Sequence, residues 1–180
     1  MLIVNSSYKD PLTREMLVKA FRTCLPDTKP EPIFICIGSQ RHILDCLGPL
    51  CGTMLQDSLP DMLIYGTLDH PIHARNLIKE MQIIRQRHPG RMEIAIDASV
   101  GEEEEIGSLQ LRQGSLLPGK ALAKNLPAVG DYSLTGIVDI RHSGRSRASE
   151  NTRGLVHVYH MAKIIRAAVE DWYRLRSYDN

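Results

Sequence analysis

Short apolar runs alternate with helical stretches along this chain. "IFICIG" (33–38), "DMLIYG" (61–66) and the opening of "EIAIDASVG" (93–101) are brief, continuous and rich in branched side chains. That is the pattern of strands covered on both faces. Between them the apolar spacing turns helical. Asp10-Pro11 suits an N-cap and first turn, and Leu12, Leu17, Ala20, Phe21 and Cys24 follow at helical intervals until "PDTKPEP" (26–32) stops them. A second helix is predicted from Asp45 to about Gln56, with Pro49 tolerated in its first turn. A third is predicted within "HPIHARNLIKEMQIIRQRHPG" (70–90), with Pro71 near its start and Pro89-Gly90 as its stop.

The order β-α-β-α-β is that of a parallel sheet with helices on its faces. "IGSLQLRQG" (106–114) then alternates like a strand, but only eight residues separate it from Asp97. A parallel crossover needs roughly a dozen or more, so this strand is expected to run antiparallel. "PGKALAKN" (118–125) predicts a short helix and "SLTGIVDI" (133–140) a fifth strand. Leu155, Val158, Tyr159, Ala162, Ile165, Val169 and Trp172 mark an amphipathic last helix. The expected fold is α/β: one domain, residues 1–180, forming a three-layer α/β/α sandwich on a mixed five-stranded sheet.

Composition narrows the field without naming a function. The chain has 43% hydrophobic and 24% charged residues and a formal net charge of +1, which gives no broad pull toward nucleic acid or membrane. The start, "MLIVNSSYKD", turns polar after three apolar residues and reads as no signal peptide, and no segment reaches spanning length. Cys24, Cys36, Cys46 and Cys51 form no C-x-x-C pair, so reduced structural thiols in a cytoplasmic protein are expected.

Asp97 raises the chemical question, because a charge at the end of an apolar strand is costly unless something there uses it. The candidate partner is Asp45, in "CIGSQRHILDCLGPL" (36–50). Strands one and three of an open α/β sheet are often neighbours, and ligands bind beyond the carboxyl ends at that reversal of direction. The two aspartates would then face each other across the crevice. A plainer reading stays open, in which Asp45 is an N-cap and Asp97 caps a turn.

These segments resemble a known group. "ICIGSQRHILDCLGP" resembles the first motif of the bacterial spore germination protease and the hydrogenase maturation peptidases, a strand and glycine loop leading to an acidic residue. "IAIDAS" resembles their second motif, and "GSLLPGKALAKNLPAVGD" the Pro-Gly loop of the germination protease. With "YGTLDHPIHARNL", the chain is most similar to the YyaC-type family of sporulation proteins over about residues 32–172. The resemblance implies a phosphorylase/hydrolase-like fold and Asp45 and Asp97 as the catalytic aspartates. It implies substrate contacts at Gly38, Ser39 and His42, and at Gly114, Pro118 and Gly119 of the Pro-Gly loop. Ser39 stands where asparagine is usual, and Leu44 and Cys46 replace the proline and alanine flanking the germination protease's aspartate.

The expected function is a peptide-bond hydrolase of sporulation or germination, acting without cofactor on a protein or peptide, spore proteins included. The expected location is the cytoplasm of the mother cell or forespore. A homo-oligomer is left open, and the alternative is an inactive peptidase-fold protein that binds a spore partner. The hydrogenase peptidases add a histidine and grip nickel, but no histidine lies in "LRQGSLLPGKALAKN", so no metal site is expected. His42 is the one imidazole near the pair that could complete one. Cys46, at a helix start beside Asp45, is a weaker nucleophile candidate for want of a histidine partner. Glu102 to Glu105 read as a solvated turn and "RHSGRSRASENTR" (141–153) as a loop.

Overall fold

The computed structural model describes residues 1–25, 30–118, 126–140 and 151–178, the backbone alone for 151–153 and 177–178. The elements are β1 (Leu2–Ser7), α1 (Thr13–Cys24), β2 (Ile33–Cys36), α2 (Leu47–Ser58), β3 (Ile64–Tyr65), α3 (Leu77–Arg87), β4 (Glu93–Gly101), β5 (Ser108–Gln113), β6 (Tyr132–Ile140) and α4 (Asn151–Tyr178). Short 3-10 turns at Ile43–Asp45 and Glu103–Glu105 lie between them.

One mixed sheet runs in the order β1-β5-β6-β4-β2-β3. Strands β3, β2, β4 and β6 are parallel, and β5 is antiparallel to both β6 and β1. The adjacency of β2 and β4 and the reversed β5 match the sequence reading, whereas the sheet has six strands instead of five. The extra strand is β1. It buries only Val4 and Ser6, so its short apolar run carries little of a strand's signature.

Strand faces sort the core in two. On one face Phe34, Cys36, Ile94, Ile96, Leu109, Leu111 and Leu134 meet α1, α2 and α4. Trp172 of α4 is fully buried there, its ring 6.1 Å from both Phe21 and Phe34. On the other, Ile33, Ile35, Ile37 and Ala95 meet Leu77, Met81 and Ile84 of α3, with Leu116 and Val129 alongside.

The third helix starts later than predicted. Residues 71–76 form a loop instead, because Ile72 bridges Ile37 in parallel and extends the β2 edge. Asn76 then delays the helix: its Oδ1 accepts the His73 N–H at 2.8 Å, and its Nδ2 donates to the Pro71 carbonyl at 3.0 Å. Such local side-chain bonds compete with helix and favour its boundary. The second helix likewise starts at Leu47, with Asp45 ending the 3-10 turn before it. The short helix expected at 118–125 falls, beyond Pro118, outside the described residues, as does the basic stretch 141–150.

Candidate active site

All three layers meet where β2 ends. Strand β2 pairs with β4 as far as Cys36 opposite Ile96, and the Ile37 N–H still donates to Ile96 O at 2.7 Å. Beyond that level β4 continues, paired with β6 through Gly101. Asp97 is therefore not the last residue of its strand, as expected from the sequence; it is the first on β4 to lose its β2 neighbour. Because Ile94 and Ile96 pack toward α2 and α4 while Ala95 packs toward α3, alternation places Asp97 on the α3 side.

Asp45 arrives from the α2 side through a turn built on backbone contacts. Gly38 has φ +144°, and a Cβ there would lie 2.1 Å from the Asp45 carbonyl oxygen, so only glycine fits. The Ser39 N–H donates to that oxygen at 2.8 Å, and the Gly38 N–H to Ile72 O at 2.8 Å. Both loop donors are thus used inside the protein, and Gly38 and Ser39 serve to hold Asp45 in place. Gly48 completes the fit, since α2 rests directly on the Ile37 backbone there. Cys46 occupies the N-cap position of α2 and makes no side-chain cap bond, so Asp45 is not that helix's N-cap.

The two carboxylates feel each other. Burial, then the charge of Asp45, push Asp97 well above the usual carboxylate range, although the Ala98 N–H bonded to its Oδ1 at 2.8 Å pulls the other way. Asp45 is more open to solvent, and burial raises it against the opposing pull of His42 and His73. No cation pairs with either carboxylate among the described residues. The negative charge of Asp45 thus disfavours ionisation of Asp97, as a like charge does.

The other expected residues divide. His42 is exposed, one residue before the turn that ends at Asp45, and close enough to favour Asp45's charge. Gly114 donates to Asp131 O at 2.7 Å, and Asp131 in turn donates to Glu93 O, which puts both at the far end of β4. Four residues of strand, about 13 Å, separate that end from Asp97. Pro118 is buried, and Gly119 lies outside the described residues. The Cys46 thiol is pushed up by burial and by Asp45, the opposite of an activated nucleophile. Among the described residues no three His, Cys, Asp or Glu side chains are arranged to hold a metal ion.

His73, which the sequence places beside His70 at a helix start and so reads as an ordinary surface or core histidine, lies in a loop against the end of β2. The available signal was Asn76, a good N-cap directly before apolar-periodic Leu77.

Residues 5–168 match the model of a family described as "Protein of unknown function (DUF1256)". The chain belongs to this DUF1256 family. It is also 35% identical, over 161 residues, to a Bacillus subtilis (strain 168) relative named "Uncharacterized protein YyaC", which covers 88% of this chain and 78% of the relative. The DUF1256 match spans Asp45, His73 and Asp97 together. No helix among the described residues is long and apolar enough to cross a membrane.

Proposed function

We propose that the Asp45–Asp97 pair is a hydrolytic site that cleaves peptide bonds in a protein of the sporulation or germination programme. The observation that carries this reading is that Asp97, just past the end of β2, feels the charge of Asp45, while no cation among the described residues pairs with either carboxylate. Structural carboxylates are normally paired, so an unpaired, proton-sharing dyad at a sheet's carboxyl edge suits acid–base work. One carboxylate takes a proton from water as its oxygen attacks the carbonyl carbon. The other gives a proton to the amide nitrogen as the C–N bond breaks. The resemblance to the germination protease supplies the substrate class, a protein or peptide of the spore, and the cytoplasm of a sporulating cell as the place.

The test is to incubate the pure protein with spore extract beside Asp45→Asn and Asp97→Asn and to sequence new peptide ends. New ends from the wild type alone support the reading. Capture of an extract protein without any cleavage would replace it with the binding-module alternative.

A further inference from the structure

We infer that His73 is a positioning residue of this site, its imidazole set against Asp45 so that Asp45 keeps the negative charge of the pair and Asp97 keeps the shared proton. The assignment of roles rests on the hydrolytic reading above, whereas the electrostatic arrangement stands without it.

Geometry places the ring. The Ile37–Ile72 bridge and the Gly38 N–H bonded to Ile72 O tie the loop before α3 to the loop that carries Asp45. His73 is the next residue, and Asn76 clamps it by accepting its N–H. One residue therefore comes from each layer: Asp45 from the α2 side, Asp97 from the sheet, His73 from the α3 side. The His73 Nδ1 is shielded from solvent and has no hydrogen-bond partner.

Two imidazoles act on Asp45, first His42 from its own loop and then His73, while Asp45 in turn raises Cys46 at the start of α2 and Asp97 on β4. Only the imidazoles favour its charge, and they differ in setting. His42 is exposed, so water and salt screen it, while His73 is half-buried and keeps its field. On Asp97, the inner carboxyl, no imidazole among the described residues acts. The proton belongs there, ready for an amide nitrogen, and Asp45 is left to take a proton from water.

The check needs no substrate. Carboxyl carbon NMR titration should move Asp45 to a higher midpoint in His73→Gln, and this shift should survive in about 1 M salt, where the screening length is about 3 Å. The corresponding shift in His42→Gln should fade there. The same measurement in His73→Asn decides the matter should His73→Gln not fold. An unchanged Asp45 midpoint in the folded variant overturns the inference and leaves His73 structural. Absence of proteolysis in spore extract would end the hydrolase reading and leave these titrations as they stand. If cleavage is found, its pH profile should move with the Asp45 midpoint in His73→Gln.

Discussion

Strand β4 carries two acids on the same face, four residues apart, and treats them in opposite ways. Glu93 opens the strand, buried, and Arg85 grips it with two bonds of 2.7 and 2.8 Å, while Gly130 N–H adds a third. Burial raises its pKa, but the guanidinium outweighs that and holds it below the usual range. Asp97 is paired with no cation among the described residues, and burial and then the charge of Asp45 move it up. One end of the strand compensates its charge to hold α3 and the turn at Gly130 onto the sheet. The other leaves its carboxyl without a partner cation among the described residues, the setting that the proposed acid–base role would use.

The sharpest break in this comparison is catalytic. Asp97→Asn should lower any proteolysis at least about 100-fold, the ordinary contribution of a positioned acid or base, whereas Glu93→Gln should leave it nearly unchanged. Peptide-end counts on both variants measure this. Stability should divide the other way. Glu93→Gln is expected to lose about 1–2 kcal/mol in denaturant melts, less than a fully buried pair would lose because Arg85 is half open to water. Asp97→Asn should hold its melting temperature or gain up to about 1 kcal/mol, since neutralising one member relieves the repulsion. A clear loss there would make Asp97 structural.

Acidity sharpens the contrast further. A raised carboxyl binds protons on folding, so Asp97's contribution is greatest below its ordinary value of 3.8 and is lost as pH rises through its folded pKa. Glu93 is lowered, so its contribution is present above 4.5 and is lost as pH falls through its folded pKa. Melts across pH should show the advantage of Asp97→Asn widening upward from pH 4, and the deficit of Glu93→Gln closing downward from there. The smallest effect is expected at Asp45→Ala. With no cap bond to lose, its melt should stay within about 0.5 kcal/mol of wild type.

The parallel core was legible because β2 and β4 are covered on both faces and their apolar runs show no polar interruption. The short link after Asp97 was enough to reverse β5. Strand β1 was not legible: an edge strand that buries Val4 and Ser6 alone writes almost no periodic signal. For the site, the two aspartates stood out because each follows an apolar strand. His73 did not, because what brings it there is the Ile37–Ile72 bridge, a contact between distant segments that no local pattern encodes. Pro71 pointed to a helix start, and the side chain of Asn76 overruled it.

Strand β1 has a consequence for the order of assembly. It pairs with β5 across a loop of about a hundred residues, and closing such a loop costs chain entropy before any contact repays it. Strands β2, β3 and β4, with the loops carrying Asp45, His73 and Asp97, are joined by short crossovers and need no help from β1 to come together. In pulsed hydrogen exchange during refolding, amides of β2 and β4 should gain protection first and those of β1 last. The three site residues would then be in register while the amino-terminal edge of the sheet is still open.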